Sequence, residues 1–248
     1  MSAAPSICVY CGSSKGTSPA YMNSALSLGK ALAKASRRVV YGGGKMGLMG
    51  AVADAALENG GFVTGVSPYA MVASGGEGSK TNGLTQSLAL SNVIEDKISN
   101  REAAPHPNRD SIVVDSMHER KTMMAKLADG GFVALPGGYG TLEELLEVTT
   151  WSQLAIHDKP VVLVNVLNYY NPLREQLRVA IEAGFVRAEN LQLLTFVDGP
   201  EDLNEHIEYD WGTAVVKVLD EWKPTGWKGF GFDWTKKQSG QMTPMQAV

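Results

Sequence analysis

The sequence predicts an α/β fold, a doubly wound parallel sheet with helices on both faces, in a single domain. Two observations carry that prediction. Short apolar runs without strict polar alternation recur along the chain: ICVY (7–10), RVVY (38–41), FVTGV (62–66), SIVV (111–114), GFVAL (131–135) and PVVLVNV (160–166), with helix-like segments between most of them. Strands covered on both faces read this way, whereas half-exposed antiparallel strands alternate. Three glycine-rich loops, CGSSKG (11–16), GGGKMG (42–47) and PGGYG (136–140), each follow the C-terminal end of an expected strand. That is the edge at which such sheets hold ligands.

The totals agree with this class. A chain of 248 residues, 44% hydrophobic and 19% charged, can bury a substantial core and is neither fibrous nor largely disordered. A net charge of −4 gives no basic footprint, so neither nucleic acid nor an anionic membrane is an expected partner. No apolar run approaches the roughly 20 residues of a membrane span, and the first residues show no signal-peptide pattern, so the expected location is cytoplasmic. The expected organisation is residues 1–222 as one domain with an insertion at about 69–110, followed by a tail at 223–248. The insertion is rich in turn residues and poor in core formers, and the tail mixes aromatics with glycine before turning polar.

Taken in order, the first strand carries Cys8 and Cys11. Three residues of extended chain span roughly 10 Å, too far for a disulfide, and no second cysteine pair completes a zinc site. The loop after the second strand satisfies G-x-G-x-x-G, but no acid ends the next strand where a dinucleotide fold would bind its ribose. Lys45 is followed by methionine, so a P-loop is excluded too. Its glycines serve either close helix–sheet packing or the shape of a ligand cleft.

After the fourth strand, Ser116 and Glu119 match a capping box, which makes Glu119 structural. Arg120 lies three residues after Met117, four before Met124 and seven before Leu127, on the same face as that apolar stripe. A guanidinium so placed needs an anion, supplied either by a buried salt bridge or by a ligand phosphate or catalytic carboxylate. After the fifth strand, LPGGYGTLEE feeds a helix. Successive N–H groups of a glycine-rich turn at a helix N-terminus form an anion site, although Thr141 and Glu144 also match a capping box that needs no ligand. The two helices start at the same edge, so Arg120 and Glu144 can face one cleft holding a small molecule with a phosphate. The helix from Thr141 shows two apolar faces, one with Leu142, Leu145, Leu146 and Thr149 and another with Val148 and Trp151. The second is expected to meet a partner in a homodimer.

Taken together, SMHERK (116–121), PGGYGTLEE (136–144) and YGGGKMGLMG (41–50) closely resemble the LOG family, the cytokinin riboside 5′-monophosphate phosphoribohydrolases, from about Ile7 to Val197. The resemblance implies a Rossmann-like homodimer that hydrolyses the N-glycosidic bond of a cytokinin nucleoside 5′-monophosphate to the free base and ribose 5-phosphate. It implies that Arg120 and Glu144 are catalytic and that Met117, Lys121, Gly137, Gly138, Gly140, Thr141, Glu143 and Thr149 contact substrate. Glu77 matches a further acid in the family's variable loop, in a segment longer than the plant-like pattern. No cofactor and no metal are expected, and the four histidines show no ligand spacing. The older family label, lysine decarboxylase, would need a Schiff-base lysine, for which Lys45 and Lys121 are the candidates by location. A nucleotide-binding carrier or sensor without turnover is the alternative function, since fold does not fix chemistry.

Overall fold

The computed structural model describes residues 5–74 and 106–224, and within the C-terminal segment residues 226, 227, 229–237, 240, 241 and 245. Among them, seven strands form one sheet: β1 (Ser6–Tyr10), β2 (Arg38–Tyr41), β3 (Val63–Pro68), β4 (Arg109–Val114), β5 (Gly131–Ala134), β6 (Val161–Asn165) and β7 (Thr195–Asp198). Their order is β4-β3-β2-β1-β5-β6-β7, and every pairing is parallel. The order reverses between β1 and β5, and this switch point opens a crevice at the C-terminal edge. Six strands coincide with the apolar runs read from the sequence. The seventh, β7, was missed: it is a short edge strand in which only Val197 is buried. Two short strands, β8 (Lys236–Lys237) and β9 (Gly240–Gln241), pair as an antiparallel ribbon in the tail.

Side chains of each strand alternate between two cores. Ile7 and Val9 face a layer made by α1 (Pro19–Lys34), α2 (Gly47–Glu58) and α7 (Trp211–Glu221). Cys8 and Tyr10 face the opposite layer, with α4 (Met117–Leu127) and α5 (Tyr139–Gln153). Helices on both faces explain why the central strands read as unbroken apolar runs. Cys8 and Cys11 are both buried free thiols. Helix α1 begins with Ser18 as its cap and Pro19 in its first turn, where the missing N–H costs nothing. A short α3 (Tyr69–Ala73) follows β3, and α6 (Asn171–Glu182) follows β6. The expected insertion begins with α3 and ends inside β4; residues 75–105, Glu77 among them, lie outside the described residues.

Two expectations about helix starts fare differently. Ser116 caps α4 by accepting from the Glu119 amide at 3.1 Å, and the Glu119 carboxylate accepts from the Asp115 amide at 2.9 Å, one residue before the usual position. The capping box assigned to Thr141 and Glu144 does not form. Helix α5 starts at Tyr139 with Gly138 as a cap lacking a side chain, which places Thr141 inside the first turn, where it is buried. The two-faced reading of α5 also needs correction. Leu145, Val148, Trp151 and Ser152 are buried by this chain's own core, so Val148 and Trp151 do not form an outward face. Leu146 is 40% exposed and, with Thr149, Thr150 and Gln153, borders an apolar groove against Leu177 and Ile181 of α6. The tail lies against the end of α5: the Trp227 and Trp234 indoles donate to the carbonyls of Gln153 (2.8 Å) and Leu154 (2.7 Å). No helix among the described residues is long and apolar enough to cross a membrane.

Candidate active site

Arg120 stands in the first turn of α4, directly beyond the end of β4, and is only 5% exposed. Its Nε donates to the Val66 carbonyl and its Nη2 to the Gly42 carbonyl, each at 3.1 Å, so the guanidinium lies across the ends of β2 and β3. Its Nη1 lies 3.9 Å from the Glu144 carboxylate on α5, whose side chain is 11% exposed, and equally far from the Met117 sulfur. A planar fork with donors on two edges can make this set of contacts, and a point-charge ammonium cannot. Burying the cation costs several kcal/mol, which is offset by charge-assisted bonds of roughly 1.5–3 kcal/mol each together with the facing carboxylate. The sequence required a partner for Arg120 but left open which one; the structure supplies two carbonyls and Glu144. Gly42 makes this possible, because a Cβ there would lie 1.8 Å from Nη2. The GGGKMG loop therefore shapes the cleft by giving the guanidinium room.

The turn between β5 and α5 forms the other wall. Gly137 has no room for a side chain, since its Cβ would fall 2.1 Å from Thr141 Oγ1. Gly138 and Gly140 differ. Both are exposed, and no atom lies within 4 Å of a Cβ on either, so the space in front of the helix start is open. The first N–H groups of α5 have no acceptor within the helix, and its dipole adds positive potential there.

Other expected site residues are placed less uniformly. Lys121 lies between Glu143 (2.5 Å) and Glu147 (3.0 Å), so Lys121 and Glu143 engage each other at the rim. Burial alone would lower the Lys121 pKa, but hydrogen bonds to Glu143 and Glu147 outweigh it and hold the ammonium above its ordinary value. Met117 is 48% exposed with its sulfur beside Arg120, so the first member of the expected apolar stripe is not core. Thr149 is not brought to the cleft. Its hydroxyl donates to the Leu145 carbonyl at 2.7 Å, and the residue lines the α5–α6 groove. Beneath the site, burial pushes the Cys8 thiol well up and the Glu144 carboxylate adds to the effect, leaving a protonated core thiol rather than a nucleophile. Sequence reasoning missed Val66, whose carbonyl holds Arg120, and Tyr169, whose hydroxyl donates to the Gly137 carbonyl. Both sit at or just beyond the C-terminal ends of strands, the one signal that could have pointed to them.

A family model described as possible lysine decarboxylase matches residues 49–207. The probable cytokinin riboside 5′-monophosphate phosphoribohydrolase LOGL2 of Oryza sativa subsp. japonica is 40% identical over 217 residues, covering 88% of this chain and 77% of that protein. The chain belongs to the LOG family. The cytokinin riboside 5′-monophosphate phosphoribohydrolase LOG4 of Arabidopsis thaliana is likewise 40% identical, over 88% of this chain and 83% of its own length. Among solved structures, the molybdenum cofactor carrier protein of Chlamydomonas reinhardtii superposes with a TM-score of 0.50 at 22% identity, over 87% of this chain and 98% of that one. That likeness concerns the Rossmann-like LOG fold alone. The label lysine decarboxylase would bring pyridoxal phosphate, and of the two lysines near the strand ends Lys121 does not suit it. A Schiff-base lysine needs a lowered pKa, and Lys121 is held by two carboxylates with its pKa raised. Among the described residues, no group of three or more His, Cys, Asp or Glu is placed to hold a metal ion.

Proposed function

We propose that this LOG protein is a hydrolase cleaving the N-glycosidic bond of cytokinin riboside 5′-monophosphates, releasing the free base and ribose 5-phosphate. The observation that carries the reading is the buried Arg120–Glu144 pair, 3.9 Å apart, beside an open glycine turn at the start of α5. The turn from Gly137 to Thr141 takes the 5′-phosphate on backbone N–H groups, and binding energy remote from the bond contributes to the rate. As the bond between ribose and base lengthens, C1′ acquires oxocarbenium character, which the Glu144 carboxylate stabilises while a water molecule attacks. That water's proton passes to the carboxylate, the departing base takes up a proton from solvent as it leaves, and Glu144 gives its proton back to solvent before the next turnover. Arg120, fixed by two carbonyls, orients the Glu144 carboxylate or neutralises the charge that develops as the base departs. Lys121 and Glu143 act at the rim of the same cleft.

The protein works on a free nucleotide, not on nucleic acid, and a cytoplasmic location fits such a substrate. It acts as a homodimer, with the second copy covering the groove formed by Leu146, Thr149, Leu177 and Ile181, because an isologous dimer is the commonest cover for an apolar strip. Incubation with isopentenyladenosine 5′-monophosphate and with AMP, followed by chromatography for free base, tests the activity. Measurable binding without base from either nucleotide would favour a carrier. Light scattering tests assembly: a mass near 26.5 kDa refutes the dimer, and twice that mass, reduced by Leu146→Glu without loss of folding, supports it.

A further inference from the structure

All four carbonyls from Leu135 to Gly138 accept hydrogen bonds. Leu135 accepts from the Tyr170 hydroxyl at 2.8 Å, Pro136 from the Gly12 amide at 3.0 Å, Gly137 from the Tyr169 hydroxyl, and Gly138 from the Leu142 amide at 3.1 Å. A trans peptide unit points its C=O and N–H in opposite directions. Holding the Gly137 carbonyl against Tyr169 therefore turns the Gly138 N–H the other way, and Gly138 is the exposed residue with open space around it. A Gly-Gly peptide left unheld flips readily, because glycine accepts φ of either sign.

The chain goes to some expense to put Tyr169 there. The two residues before it, Leu167 (φ 50°) and Asn168 (φ 59°), are left-handed non-glycine residues, a conformation costing about 1–2 kcal/mol at the leucine and less at the asparagine. His206, buried, holds this turn by accepting the Leu167 amide on Nδ1 at 2.9 Å, while its Nε2 faces the Pro200 carbonyl at 2.7 Å. The Tyr169 ring is met edge-on by Tyr21 and Tyr170, with centroids 6.2 and 5.1 Å away. Yet Tyr169 is 38% exposed, and it is Tyr170 that fills the core. Core packing accounts for the second tyrosine, whereas the hydroxyl of the first is spent on the Gly137 carbonyl.

We infer that Tyr169 is a positioning residue for the glycine turn, its hydroxyl holding the Gly137–Gly138 peptide so that the Gly138 N–H faces the 5′-phosphate of the substrate. This rests on the phosphate-binding reading of the turn proposed above. Tyr169→Phe removes one oxygen and keeps the ring contacts. The experiment compares wild type and Y169F on isopentenyladenosine 5′-monophosphate and on the same riboside without phosphate, with inhibition by inorganic phosphate and a melting curve for each protein. Expected is a five- to tenfold fall in the ratio of kcat/KM for monophosphate over riboside, about what one hydrogen bond is worth, carried by KM. Inhibition by inorganic phosphate should weaken by a similar factor, and the melting temperature should move by no more than about 3 °C. An unchanged ratio, or an equal loss on both substrates, overturns the role of Tyr169. If wild type itself shows no preference for the monophosphate, the phosphate reading of the turn fails and this inference fails with it. A wild-type preference that Y169F keeps undiminished sinks the inference alone.

Discussion

Gly140→Ala separates a glycine kept for the fold from one kept for a ligand. Gly140 lies in the first turn of α5, and an added Cβ meets no atom within 4 Å. Removing glycine from a helix at an unstrained position stabilises by roughly 0.4–1 kcal/mol, mostly by narrowing the unfolded ensemble. For a chain of this size that amounts to a rise in Tm of about 1–4 °C. The effect on substrate runs the other way. A helical Cβ tilts toward the N-terminus, so the methyl group enters the space in front of the first N–H groups, where a phosphate oxygen must come within hydrogen-bond distance. Loss of one charge-assisted hydrogen bond, roughly 1.5–3 kcal/mol, lowers kcat/KM about tenfold to 150-fold. Scanning calorimetry and chromatographic release of free base measure the two effects on one preparation. A higher Tm with kcat/KM within twofold of wild type would show that no phosphate sits on this turn. A lower Tm would show that Gly140 serves packing, and the reasoning from open space would be wrong.

Three further outcomes are expected. Glu144→Gln should fold normally, because the amide keeps the size of the carboxylate and the cap of α5 is Gly138, yet lose about a hundredfold to a thousandfold in kcat as the charge facing C1′ disappears; single-turnover base release measures this, and activity within a few fold refutes the assignment. Gly42→Ala forces a methyl against Arg120 Nη2, so kcat should fall at least about tenfold, as it does when a small displacement misplaces catalytic groups, while folding survives in the circular dichroism spectrum; unchanged turnover would mean that the pose of Arg120 is irrelevant. Burial holds the His157 imidazole down to a pKa of about 4, with Nε2 on the Val148 carbonyl at 2.8 Å and Nδ1 accepting the Lys159 amide at 3.2 Å. The unfolded chain binds this proton near pH 6.5 and the folded chain only near 4, so the stability is complete above pH 6.5 and is lost as pH falls toward 4. The loss is about 3 kcal/mol, read from urea melts between those limits, and it should vanish in His157→Gln.

What the sequence determined by itself was local. Apolar runs marked six strands because a strand covered on both faces must be apolar on both, and Ser116 announced the start of α4 because an orphan amide needs an acceptor within three residues. The 3.6-residue repeat put Arg120 on a core-facing stripe, and its burial followed. The start of α5 was misread because T-x-x-E satisfies a capping pattern that Gly138, three residues earlier and without a side chain, preempts. Trp151 was placed outward because spacing alone does not tell which of two apolar faces meets the sheet. Periodicity likewise left open what Arg120 would meet. Its carbonyl partners stand 54 and 78 residues away in sequence, and they become its neighbours only because β2 and β3 lie side by side and α4 crosses their ends. Tyr169 reaches the Gly137 carbonyl from 32 residues away, through a left-handed turn at Leu167 and Asn168, because β5 and β6 are adjacent. A local pattern states that a buried charge or a bare carbonyl must be satisfied, and the order of strands decides by what.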